Sequence, residues 1–175
     1  MPKAIFAYGR MNPPTRGHKA LINTLLLKAK EEGATPFIVV THTQNKKRSP
    51  LNVNRKSEIL KLMFPNVNIL STSKNEPSPL GIVRKLRDRG FNNIQMMVGS
   101  NRVGQFGFVG IPVLSGGERN MTSSVGLAGV KATYAREAAK AGNFNLFKSY
   151  MNERLNNNTL RQLMRNVRAG MGLKN

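Results

Sequence analysis

The sequence predicts an α/β protein, a parallel sheet of about five strands with helices on both faces, on three observations. Short apolar runs enriched in β-branched residues alternate along the chain with stretches whose apolar residues recur at helical spacing. The first run, Ala4-Ile5-Phe6-Ala7, is unbroken, as it is in strands buried on both faces. It leads through a loop of Gly and Pro straight into a helical pattern, the junction with which α/β proteins present backbone N–H groups to a phosphate.

The elements follow in order. Lys3 to Tyr8 form the first strand, and Pro13 and Pro14 stiffen the loop after it by fixing φ. From Gly17 and His18 a helix runs with Ala20, Leu21, Ile22, Leu25, Leu26 and Ala29 inward, so Thr15 and His18 stand at the positive end of its dipole. Phe37 to Val40 make a second strand, followed by the basic loop Asn45-Lys46-Lys47-Arg48-Ser49-Pro50. Residues 53 to 64 form a helix capped by Asn52 or Asn54 and stopped by Pro65, with Ile59, Leu60, Leu62, Met63 and Phe64 on its apolar face. Val67, Ile69 and Leu70 mark a third strand, Leu80 to Arg89 a helix closed by Gly90, and Ile94 to Val98 a fourth strand ending in Gly99-Ser100-Asn101-Arg102. Phe106, Phe108 and Val109 are expected to pack onto the sheet from a loop or short helical turn. Ile111 to Leu114 read as a fifth strand at an edge, because Pro112 lacks a ladder donor.

A long polar loop follows to Gly129, and loops of that length more often cover a site or meet a partner than fill space. Helical patterns then close the chain. Leu155, Leu160, Leu163, Met164 and Val167 point inward, and Arg154, Arg161, Arg165 and Arg168 are expected outward. The chain shows no internal repeat and no linker, so a single domain over 1–175 is expected, with 144–175 as a C-terminal helical extension.

Charge narrows the partners. Twenty-eight Lys and Arg against eight Asp and Glu give a formal net charge of +20. The excess is spread along the chain, which points to a polyanion partner met by a basic surface and not by a detachable tail. Asp88 is the only aspartate, so a carboxylate-caged metal or a carboxylate acid/base pair is disfavoured, and any Mg²⁺ is expected to arrive bound to substrate phosphates. Cysteine is absent, which excludes a disulfide framework and thiolate metal sites. No apolar run approaches the roughly 18 to 20 residues of a membrane span, and the expected location is cytoplasmic.

Several stretches resemble one family. Thr15-Arg16-Gly17-His18 resembles the (H/T)xGH signature of the nucleotidyltransferase superfamily (cytidylyltransferase-like), and GRMNPPTRGH resembles the longer GRFxPxHxGH form of its adenylyltransferases. Gly99-Ser100-Asn101-Arg102 resembles a GSDR loop with asparagine at the acidic position. Val130 to Glu137 resemble the ISSTxxR signature, with Ala132 in place of the second serine. HTQNKK and PLNVNRK in the middle of the chain and GMGLK at its close resemble a subgroup encoded by tailed bacteriophages.

The resemblance implies a Rossmann-like strand order and a role for each matched residue. His18 and Thr15 would meet the α- and β-phosphates of a nucleoside triphosphate. Lys46 or Lys47, Thr133 and Arg136 would hold the outer phosphates, with Lys47 and Arg136 counted with His18 and Thr15 in the catalytic group. Gly9, Arg10, Gly17, Gly99, Asn101 and Arg102 would border the nucleotide and a small phosphorylated acceptor. The implied reaction is transfer of a nucleoside monophosphate to that acceptor with release of pyrophosphate. The alternative is a basic protein that binds DNA or RNA or sits in a virion, keeping the fold with reduced or no catalysis. Asn101, Ala132 and the +20 charge favour the alternative.

Overall fold

The computed structural model describes residues 2–117 and 132–174. The expected long loop therefore lies largely outside the described residues, as do Val130 and Lys131 of the ISSTxxR-like stretch. Chain contacts group into two compact units: Met1–Gly9, Ala20–His42 and Asn66–Arg119 form the first, and Arg10–Lys19, Thr43–Pro65 and Asn120–Asn175 the second.

The first unit carries the sheet. Strands β1 (Lys3–Gly9), β2 (Thr35–Val40), β3 (Asn68–Ser71), β4 (Asn93–Val98) and β5 (Val113–Ser115) are all parallel, in the order β3-β2-β1-β4-β5. Reversal of direction about β1 is the doubly wound, Rossmann-like arrangement. Period-two alternation gives each strand two apolar faces. On one face Ala4, Phe6, Phe37, Val39, Ile94 and Met96 pack with Ile82, Val83 and Leu86 of α3 (Pro79–Asp88).

On the other face lies α1 (Arg16–Glu32), whose Leu21, Ile22, Leu25 and Ala29 are buried. Gly116 shows the contact: a Cβ there would stand 1.9 Å from Leu21 Cδ1 and 3.2 Å from Met97 Cγ. Helices thus cover both faces of the sheet, as the sequence predicts. The fifth strand is an edge strand, displaced from its expected span so that Pro112 precedes it and uses its carbonyl to accept from Met96 N–H. Two 3₁₀ turns, Ser100–Gln105 and Gly107–Val109, follow β4. They bring Phe106 and Val109 into the core, but Phe108 stays 60% exposed, contrary to expectation.

The second unit is helical and contains α2 (Val53–Met63), α4 (Ala132–Lys140), α5 (Phe144–Ser149) and α6 (Asn157–Gly170). Asparagines cap three of these: Asn52, Asn143 and Asn156 accept from Arg55, Leu146 and Thr159 N–H, each satisfying a first-turn donor that the helix cannot. Helices α4, α5 and α6 pack on one another through Ala135, Ala138, Ala139, Phe147, Leu160, Leu163 and Val167. Arg168 departs from its expected outward course. Its guanidinium donates to the carbonyls of Ala139, Lys140 and Lys174 at 2.8 to 2.9 Å, tying the end of α4 to the chain after α6. Among the described residues no helix is long and apolar enough to cross a membrane.

Candidate functional site

Within the second unit the loop between β1 and α1 is tethered at Arg10 and Asn12 and, where α1 begins, at Arg16. Lys56 Nζ donates to Arg10 O at 2.8 Å. Asn12 pairs with the backbone of Leu51 in both directions, donating to its carbonyl at 2.9 Å and accepting from its N–H at 2.8 Å. Arg136 donates through Nη1 to Asn12 O at 2.9 Å, and Arg16 donates from its backbone N–H to Tyr150 O and from Nε to Met151 O. Met11, buried between these anchors, takes a left-handed φ of 47°, a strained conformation for a residue with a side chain. The prolines were expected to stiffen this loop; polar tethers from α2, α4 and the segment after α5 do so as well.

Thr15 is the N-cap of α1: its carbonyl accepts from Lys19 N–H at 3.0 Å and its Oγ1 from Gly17 N–H at 3.2 Å. His18 folds back on it, its Nδ1 accepting from Thr15 N–H at 2.9 Å. That bond fixes the neutral tautomer, with the proton on Nε2. Both residues are buried, His18 to 2% exposure.

The basic loop after β2 is shaped by one side chain. Asn45 Oδ1 accepts from the backbone N–H groups of Lys47, Arg48 and Ser49, at 3.1, 2.8 and 3.3 Å, a tight turn of the kind asparagine favours. Lys46, Lys47 and Arg48 are thereby held on its exposed side. On α4, Thr133, Arg136, Glu137 and Lys140 share a face at helical spacing, and Arg136 Nη2 donates to Thr133 Oγ1 at 3.2 Å.

Those two segments, with Arg10, line a cavity of about 710 Å³, the size usual for small-molecule sites. Among the described residues six cations face it, Arg10, Lys46, Lys47, Arg48, Arg136 and Lys140, against the single carboxylate of Glu137. Arg136 feels the imbalance. Burial, and then the neighbouring charges of Arg10 and Arg48, pull its pKa below the usual guanidinium value, with Glu137 opposing. Among the described residues these converging cations outnumber the anions, a balance that attracts negative charge.

The chain after α6 supplies the apolar part of the wall, Met171 and Leu173. Its course depends on Gly170, where a Cβ would stand 2.0 Å from Pro50 O and 2.6 Å from Pro50 C. Backbone cannot yield as a side-chain tip can. Gly170→Ala is therefore expected to lower unfolding free energy by about 2 kcal/mol despite alanine's better helix propensity, as a shift in urea midpoint will show.

The structure thus gathers Arg10, Lys46, Lys47, Thr133 and Arg136 around one space. Thr15, Gly17 and His18 lie in the same unit but do not line that cavity. Gly9 ends β1, and Gly99, Asn101 and Arg102 follow β4 in the sheet unit, where Arg102 stacks over Phe106 at 5.0 Å from the ring centroid. Arg48, Lys140, Met171, Leu173 and Lys56 were missed in the sequence. Lys140 was legible, since it extends the Thr133–Arg136 face by one turn, and so was Lys56, a lysine at a core position of α2 beside Ile59, Leu60 and Met63.

Among the described residues no three His, Cys, Asp or Glu side chains cluster as metal ligands. The described lining, with one carboxylate among six cations, does not suit a resident metal ion.

No protein-family model and no curated protein matches the chain. Among solved structures, the chain is similar to a bifunctional NMN adenylyltransferase/ADP ribose pyrophosphatase from Francisella tularensis, crystallised with AMP and a manganese ion, with a TM-score of 0.63 and 18% sequence identity. The match covers 98% of this chain and 52% of that one, so this chain spans about half the length of that protein. At such identity the likeness is one of fold, and the chain has a Rossmann-type α/β fold similar to that of this structure.

Proposed function

We propose that the chain is a nucleotidyltransferase that binds a nucleoside triphosphate with its Mg²⁺ and transfers the nucleoside monophosphate to a small phosphorylated acceptor. The observation that carries this reading is the cavity in which Arg10, Arg48 and Arg136 crowd one another, with Glu137 as the only carboxylate on the wall among the described residues. Lys46, Lys47, Thr133 and Arg136 hold the outer phosphates there. Thr15 and His18, at the N-terminus of α1, serve the α- and β-phosphates, a role that rests on the resemblance of TRGH to the family signature. Gly9, Gly17, Gly99, Asn101 and Arg102 border nucleotide and acceptor on the same ground.

The chemistry asks little covalent work of the protein. An acceptor phosphate oxygen attacks the α-phosphorus, and the bond from that phosphorus to the oxygen bridging toward the β-phosphorus breaks. Pyrophosphate leaves with the electron pair. The protein aligns the two phosphates and neutralises charge on the leaving group. A divalent cation belongs here to the substrate, as the counterion of its phosphates.

Calorimetry with each common nucleoside triphosphate tests the reading. Arg136→Ala is expected to weaken binding by about 2 kcal/mol, roughly thirtyfold, the worth of a charge-assisted hydrogen bond. Absence of triphosphate binding by the wild type sinks the proposal.

A second reading has its own support, because the cavity uses six of the chain's 28 basic residues and leaves a large positive surface. On that reading the surface binds DNA or RNA, alone or within a virion. Its signature is affinity for nucleic acid that falls steeply with salt and survives Arg136→Ala.

A further inference from the structure

The C-terminal end of α4 and the apolar wall of the cavity are joined by a side chain, that of Arg168, which does not itself line the space. Helix α6 closes in a Schellman turn. Gly172 takes a left-handed φ of 81°, its N–H donates to Ala169 O at 3.0 Å, and Leu173 N–H donates to Arg168 O at 2.9 Å. Met171 and Leu173 of this turn reach the cavity wall, and Gly172 between them lies beside a lysine that lines the same space. A Cβ at Gly172 would stand 3.5 Å from Lys46 Cε and Nζ and 3.7 Å from its Cδ.

Arg168 thus holds the chain after α6 through its backbone carbonyl, and its side chain holds it again. Nη2 donates to Lys174 O at 2.8 Å, while Nη1 donates to Ala139 O at 2.8 Å and to Lys140 O at 2.9 Å. The last two are terminal carbonyls of α4, the negative end of its dipole, on the turn from which Lys140 faces the cavity. One guanidinium therefore offsets that partial negative charge and fastens the segment bearing Lys140 to the segment that flanks Lys46. The planar fork allows this because its N–H groups point in separate directions, whereas the donors of a lysine radiate from one nitrogen. A lysine loses rotamer freedom when it binds an anion, and one whose surroundings are already fixed loses less.

We infer that Arg168 is a positioning residue for the cavity, setting Lys140 and Lys46 for a polyphosphate by fastening the end of α4 to the chain after α6. The inference rests on the polyphosphate reading of that cavity and gives part of the affinity to a residue that does not meet the ligand.

The test is calorimetry on the full chain with inorganic tripolyphosphate, a probe of the cations without base or acceptor, at low salt so that weakened affinities stay measurable. Arg168→Lys keeps the charge and the backbone bond to Leu173 but loses the fork, and is expected to weaken tripolyphosphate at least fivefold. In a chain that also carries Lys46→Ala and Lys140→Ala, the same substitution is expected to change affinity less than twofold, because nothing remains for it to position. An Arg168 that served folding alone would not distinguish the two backgrounds. Gly172→Ala, strained at its left-handed φ, disturbs the same turn without touching Arg168 and is expected to weaken tripolyphosphate at least threefold. Equal affinity in wild type and Arg168→Lys overturns the inference, and should that variant fail to fold, equal affinity in wild type and Gly172→Ala does so. A loss that persists in full without Lys46 and Lys140 also overturns it, as does absence of tripolyphosphate binding by the wild type. Nucleoside triphosphate binding by the wild type is titrated separately, so a failure here is distinguishable from a failure of the nucleotidyltransferase reading.

Discussion

His18→Asn is expected to lower pyrophosphate release by about a thousandfold while leaving the unfolding temperature within a few degrees of wild type. The reasoning starts from the two ring nitrogens. Nδ1 accepts from Thr15 N–H at 2.9 Å, a structural bond that holds the cap of α1. Asparagine places its Oδ1 near the position of Nδ1 and keeps that bond, but offers nothing in the place of Nε2. The complementary variant, His18→Gln, reaches toward the Nε2 position and abandons the bond to Thr15. A buried N–H is then left without its acceptor, and stability should fall by about 1 to 3 kcal/mol. Coupled assays of pyrophosphate and thermal melts on both variants separate the roles of the two nitrogens. Full activity in His18→Asn would make His18 a capping residue and remove it from the chemistry.

That separation matters because His18 is buried and does not line the cavity, which makes it the least predictable of the candidate residues. The order of strands and helices was legible because it depends on local pattern. Ala4 to Ala7 had to be a central strand, Gly90 with φ 97° had to end α3, and Pro112 had to sit at an edge. The clustering of Lys46, Lys47, Thr133 and Arg136 was legible through motif order. What spacing could not convey is which tethers set the loop between them. The pairing of Asn12 with Leu51 and the bond from Lys56 to Arg10 join residues about forty positions apart, and nothing local in either segment marks its partner. Nor could it show Arg168 turning inward, since an arginine opposite an apolar stripe reads as solvated until carbonyls converge on it.

Lys56 yields the second large effect. Its side chain is fully buried, and its Nζ reaches the Arg10 carbonyl. Burial, followed by repulsion from Arg10, pushes its pKa down from 10.5 to about 8. Since the folded value lies below the unfolded one, the unfolded chain binds more protons between pH 8 and 10.5, and stability from this group rises with pH across that window. The fall from 10.5 to about 8 is worth about 3 kcal/mol. Urea unfolding of wild type minus Lys56→Met, which cancels the titration of every other group, should therefore move by about 3 kcal/mol in favour of wild type between pH 7 and 10.5. Parallel pH profiles would mean that the ammonium stays solvated. The same coupling runs to the cavity, because the charge of Lys56 adds to the potential at Arg10. An anion bound beside Arg10 favours the protonated amine, and by linkage deprotonation must weaken the anion. Triphosphate affinity should thus drop more as pH rises through 8 in wild type than in Lys56→Met, a difference that appears only if the polyphosphate lies where the six cations converge.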